Sequence, residues 1–158
     1  MYSEYNAEVK AKGTKEELVA MIEVTYDYQD EYYESDRIKE INSIKATDEG
    51  KFYLEMYCCG MYAEYGHPDD TGLFQSLANS APYASFDGVL EGYDDYMGSI
   101  TVNAKLKEGK LTLKVKYSIN NPDEFKTTAE PDEDGWYSYT ETYQFNPETG
   151  KYEGIKMK

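Results

Sequence analysis

Apolar and polar residues alternate cleanly near the start of the chain. Tyr5, Ala7, Val9 and Ala11 interleave with Asn6, Glu8, Lys10 and Lys12, the period of two that predicts a strand with one face on a core. Gly13 closes it. Thr14-Lys15-Glu16-Glu17 has the spacing of a capping box, in which Thr14 and Glu17 satisfy each other's backbone N–H at a helix start. Leu18, Ile22 and Tyr26, flanked by Val19 and Met21, form a helical stripe, so a helix is expected from about Lys15 to about Tyr32. Ile38, Ile41 and Ile44 are read as an irregular second strand, and Asp48-Glu49-Gly50 as a hairpin turn. A long third strand is expected from Lys51 to about Tyr65. Phe52, Leu54, Met56 and Cys58 would face the core, with Tyr53, Glu55 and Tyr57 on the other side.

The segment Gly66-His67-Pro68-Asp69-Asp70 breaks the strand pattern, and Asp70 or Thr71 can cap a helix. Leu73, Phe74, Leu77, Ala78 and Ala81 share one helical face, and Pro82 stops it. A meander follows. Phe86 to Tyr93 is one strand, Ile100, Val102, Ala104 and Leu106 alternate on the next, and Glu108-Gly109 turns into Leu111, Leu113, Val115, Tyr117 and Ile119. Residues 120–135, with their Asn-Pro and Glu-Pro dipeptides, read as a loop. Tyr137, Tyr139, Tyr143 and Phe145 alternate again before a last strand near Tyr152 to Met157. The expected fold is a single α+β domain over residues 1–158, ordered β-α-β-β-α-β-β-β-β. Its two helices would pack on one face of a mainly antiparallel, meander-rich sheet. The opposite face would be half-exposed and rich in Tyr, Thr and charge.

Composition sets the limits of what such a domain does. A chain of 158 residues buries a core without disulfide or metal staples. Its net charge of −15 argues against direct binding to nucleic acid or to an anionic membrane, because phosphates are repelled over most of the surface. No apolar run approaches the roughly 20 residues of a membrane span. The first residues, Met1-Tyr2-Ser3-Glu4-Tyr5, lack the basic start and apolar stretch of a secretory signal, so the expected location is the cytoplasm. Cys58 and Cys59 are neighbours and point to opposite faces of a strand, so they read as ordinary thiols.

Enzyme chemistry finds little footing, and no cofactor is expected. His67 is the only histidine, so there is no His pair for a metal centre. No nucleophile elbow, P-loop or dinucleotide fingerprint occurs. One calcium pattern stands out. Glu130, Asp132 and Asp134, with Gly135 and then Glu141, match the spacing of an EF-hand loop. Against it, Glu130 is longer than the preferred Asp, Pro131 sits second, and the flank from Trp136 to Phe145 alternates as a strand.

The most distinctive stretch runs from Tyr26 to Asp36, where four Tyr interleave with five acids. Placed at a helix C-terminus, such acids oppose the macrodipole. A duplex carries a negative charge about every 1.7 Å of axis, and a rigid array of carboxylates can occupy a groove built for it. Asp27, Asp30, Glu31, Glu34 and Asp36 are the expected phosphate stand-ins, with Tyr28, Tyr32 and Tyr33 as aromatic contacts. In size, acidity and lack of catalytic motifs, the chain resembles the small acidic anti-CRISPR and anti-restriction inhibitors of bacterial mobile elements. That resemblance implies a non-enzymatic inhibitor that binds a basic nucleic-acid-binding protein. A second expectation is a protein-interaction module built on a Tyr-rich sheet face, with Tyr53, Tyr57, Tyr137 and Tyr139. The hairpin lysines Lys105, Lys107, Lys110, Lys114 and Lys116 depart from the general acidity. They would face away from a basic partner or neutralise acids on neighbouring strands.

Overall fold

The computed structural model describes residues 3–27, 33–61, 72–94, 98–119 and 130–155. The strand read at the start of the chain is β1 (Ser3–Gly13), and α1 (Lys15–Asp27) follows it at once. The capping box is closed. The Glu17 N–H donates to Thr14 Oγ1 at 3.1 Å, and the Thr14 N–H donates to Glu17 Oε1 at 2.9 Å. Leu18, Met21, Ile22 and Tyr26 are buried along one side of α1.

The described part of α1 ends at Asp27, and the helix end expected near Tyr32 lies outside the described residues; a separate helix, α2 (Glu34–Asn42), begins at Glu34. One expectation fails here. The second strand expected over Ile38, Ile41 and Ile44 is mostly helix. A spacing of three puts Ile38 and Ile41 on neighbouring positions of a helix surface, and both lie on α2. What remains is the two-residue β2 (Lys45–Ala46). The chain then forms β3 (Phe52–Met61), α3 (Gly72–Ser80), β4 (Ser85–Asp94), β5 (Gly98–Lys107), β6 (Lys110–Tyr117), β7 (Tyr137–Asn146) and β8 (Lys151–Gly154). Among the described residues there are thus three helices, not two.

The fold is α+β. Its sheet has eight strands in the order β2-β3-β1-β4-β5-β6-β7-β8, and every neighbouring pair is antiparallel. From β4 to β8 this is the expected meander. The β5–β6 turn has φ of 52° at Glu108 and 77° at Gly109, the positive pair that a two-residue type I′ hairpin requires. Register gathers the buried residues in successive rows on one side of the sheet. Val9 lies opposite Met56 and Gly88, Leu90 opposite Val102, and Val102 opposite Val115.

α1 and α3 touch each other and join this core through Leu18, Met21, Ile22, Leu73, Phe74 and Leu77. Phe74 stacks on Phe86 with ring centroids 6.2 Å apart. Two glycines of β4 make room for rings. A Cβ on Gly88 would lie 2.5 Å from Phe74 Cε1, and one on Gly92 would lie 2.2 Å from Tyr5 Cδ1. Tyr5 is the direct cross-strand partner of Gly92.

Among the described residues no further strand pairs with β8, and α3 supplies the hydrogen bonds at Tyr152 instead. The Tyr152 N–H donates to Asn79 Oδ1 at 2.8 Å, and Gln75 Nε2 donates to the Tyr152 carbonyl at 3.1 Å. Buried Tyr152 also donates its hydroxyl to the Pro82 carbonyl at 2.6 Å.

Candidate interaction surfaces

The acid–tyrosine stretch divides among several environments. Tyr26 is part of the core, and its hydroxyl donates to Glu40 Oε2 at 3.1 Å. Asp27 is exposed in the last turn of α1. Tyr28, Asp30, Glu31 and Tyr32 lie outside the described residues. Tyr33 occupies the N-cap position of α2 and is 77% exposed. Glu34 and Asp36 fall in the first turn of α2, where a carboxylate is favoured by the helix dipole. The expected conflict with a macrodipole therefore does not exist for these two acids, because a new helix starts at Glu34.

Glu34 is also not a bare charge. Arg37 pairs with Glu34 on its own helix and with Glu23 on α1, and it holds the Glu34 carboxyl below the usual carboxylate range. The exposed ion pairs and the Tyr26–Glu40 bond tie α2 to α1. Glu40 is the buried side of this corner. Its Oε1 has no hydrogen-bond partner among the described residues, and burial raises its carboxyl above the usual range against the opposing Tyr26 bond.

The four tyrosines of the expected aromatic face do not share a face. Tyr53 and Tyr57 lie opposite Lys12 and Glu8 on the side of the sheet away from the buried residues. Tyr57 is 62% exposed, and Tyr53 donates to Glu55 Oε1 at 2.7 Å. Tyr139 lies opposite buried Val115, and Tyr137 opposite Tyr117, so both belong to the other side. Tyr117 stacks on Tyr137 with centroids 5.2 Å apart and meets Tyr139 edge-on at 6.0 Å. Burial, with Glu141 nearby, pushes the Tyr139 phenol above its usual range.

The residues of the calcium pattern are engaged in local structure. Asp132 Oδ1 accepts the N–H groups of Asp134 and Trp136, each at 2.9 Å, closing a turn at Gly135. Glu141 lies within β7 and accepts the Tyr143 hydroxyl at 2.7 Å. Glu130 is exposed ahead of that turn. Among the described residues no group of three or more His, Cys, Asp or Glu side chains is placed to hold a metal ion. His67 lies outside the described residues. Among the described residues no helix is long and apolar enough to cross a membrane.

The surface that stands out is the open face of β1, β4, β5 and β6. Lys10 and Lys12 on β1, Lys105 and Lys107 on β5, and Lys110, Lys114 and Lys116 on β6 are all exposed there. Acids stand among them. Asp87 lies directly between Lys10 and Lys105, and Glu8 and Glu91 are on β1 and β4. A shallow depression of about 550 Å³ opens at this point, with exposed Val89 among Lys10, Asp87, Asn103, Lys105 and Lys114. The hairpin lysines were visible as a block in sequence. The addition of Lys10 and Lys12 depends on β1 lying next to β4, which no local pattern encodes.

The chain matches no protein-family model, no curated protein and no solved structure.

Proposed function

We propose that the protein is a non-catalytic protein-binding module and that the open face of β1, β4, β5 and β6 is its working surface. The observation that carries this is the segregation of charge. In a chain of net charge −15, a broad exposed face carries seven lysines on three of its strands, against the three acids Glu8, Asp87 and Glu91 on β1 and β4. Surface charge of one sign, gathered against an opposite background, steers encounter and selects partners. Tyr57 and Val89, both exposed on the same face, add apolar contact area.

The experiment is affinity capture from a lysate of the producing cells. Wild type is compared with a Lys10→Glu, Lys105→Glu, Lys114→Glu triple variant whose fold is checked by circular dichroism. The captured partner should be lost from the variant. Its retention would overturn the assignment of this face.

Mimicry of nucleic acid is the second functional reading. It is favoured by the other half of the same segregation: the collected lysines leave the corner around Asp27, Glu34 and Asp36 acidic. Reversal of Asp27, Asp30, Glu31, Glu34 and Asp36 in the same capture separates the two. A mimic loses a basic, salt-sensitive partner with those changes and keeps it with the lysine changes.

A further inference from the structure

The cross-strand neighbours of each lysine show that the open face is not uniformly basic. On β1 and β5, Lys10 and Lys105 flank Asp87, and Lys10 also faces Glu55. These positions are already balanced. On β6 the pattern changes. Lys114 lies between Asn103 and Thr140, and Lys116 between Thr101 and Ser138. Lys110 lies between Lys107 and Gln144. Among the described residues no acid is directly opposite any of the three. Lys107 and Lys110 stand in direct register, an arrangement that like charges disfavour. A stripe of cations thus runs along one strand, bordered by uncharged polar residues, in a protein whose net charge is −15.

We propose that this stripe binds a short, extended, acidic segment of a partner protein, laid along β6 with alternate carboxylates on Lys114 and Lys116. The inference rests on the open face being the working surface. Side chains two residues apart on a strand are separated by about 6.6 Å, and an extended peptide presents every second side chain at the same interval. Glu or Asp at alternate positions therefore matches Lys114 and Lys116 without either backbone bending. Lys105 and Lys107 stand one strand away, about 4.8 Å to the side, within reach of the same carboxylates on flexible stems. At one end Trp136 lies beside the stripe, with Lys116 Nζ 5.3 Å from its ring centroid, and offers a flat contact for an apolar residue of the segment.

Length selects the kind of anion. From Lys110 to Lys116 the stripe covers roughly 20 Å of strand, enough for about six extended residues. A nucleic-acid duplex or a lipid surface extends well beyond that, onto a protein surface that repels it. A short acidic segment ends where the lysines end. The attraction acts within a Debye length of about 8 Å at physiological salt, so the stripe governs the encounter although the molecule as a whole is anionic.

The test uses fluorescence anisotropy with the full chain and a labelled eight-residue peptide of alternating Glu and Thr. Its counterpart has Gln in place of Glu. Labelled oligo-dT of similar length serves as the competing anion. The Glu peptide should bind, weaken steeply as salt rises, and lose at least tenfold in affinity with Lys114→Glu plus Lys116→Glu. The charge-neutral pair Lys114→Gln plus Lys116→Gln should give an intermediate loss, and Lys39→Glu on α2 should give none. Equal binding of the Gln peptide, or full binding by the Lys114/Lys116 variants, overturns the proposal. So does tighter binding of oligo-dT, which would assign the stripe to nucleic acid. If the peptide fails while the captured partner still depends on the open-face lysines, only the partner's chemistry is wrong. If the partner is indifferent to those lysines as well, the face itself is wrongly assigned.

Discussion

Gly88 and Gly92 sit four residues apart on β4, in a stretch whose glycines resemble no binding fingerprint. Their role is spatial. Phe74 and Tyr5 lay rings where a Cβ would stand, at 2.5 Å and 2.2 Å. Overpacking of a tight core costs typically 1–3 kcal/mol, so Gly92→Ala is expected to lower stability by about 2 kcal/mol, read as a lower urea midpoint with an unchanged slope. Glu40 supplies a prediction of the opposite sign. Burial disfavours its carboxylate, so its folded-state pKa lies above the unfolded value, and stability falls as pH rises from one to the other. Glu40→Gln removes that charge and keeps an oxygen for the Tyr26 hydroxyl. It should raise the melting temperature at pH 7, with the gain shrinking as pH falls from the raised folded-state value towards the ordinary glutamate value of about 4.3 and vanishing below it. At this scale the sequence was partly readable. The Thr14–Glu17 box could be seen because both partners lie three residues apart. The glycine–ring contacts and the orphaned Glu40 oxygen could not, since each depends on a neighbour brought in by the fold.

Elements were legible where period and punctuation agreed. β1, α1, α3 and the β5–β6 hairpin all carry a clear repeat with a cap, a turn or a proline at an end. The region from Glu34 to Ile44 misled because charged residues obscure its period. Its isoleucines repeat every three residues, a helical interval, and α2 forms there with Arg37 bridging Glu23 and Glu34. The join between α3 and β8 was invisible for a different reason: Gln75 and Asn79 are ordinary polar positions on a helix until Tyr152 arrives from the other end of the chain. Leaving a partly buried backbone group unbonded costs about 1–3 kcal/mol. Asn79→Ala and Gln75→Ala should each destabilise by about that amount. For a chain of this size each kcal/mol corresponds to a melting-point drop of about 2–4 °C. Calorimetry on the single variants and the double variant checks it, and hydrogen exchange at Tyr152 should speed up first in Asn79→Ala, which frees the amide itself.

The whole molecule is where sequence reading reached least. Counting charges gave an acidic protein; strand order turned that count into a pattern. Lys10 and Lys12 are nearly a hundred residues from the hairpin lysines, and only the adjacency β1-β4-β5-β6 puts them on one face. The acid–tyrosine stretch was expected to act as a single array. Its described members are a buried ring, a helix end and an ion-paired first turn, and Tyr28, Asp30, Glu31 and Tyr32 lie outside the described residues.

The two α3 side chains at β8 also act as a guard. The outward backbone groups of Tyr152 are occupied from within the same chain. A strand arriving from another molecule would have to displace both Asn79 and Gln75 before it could add to the sheet at that residue.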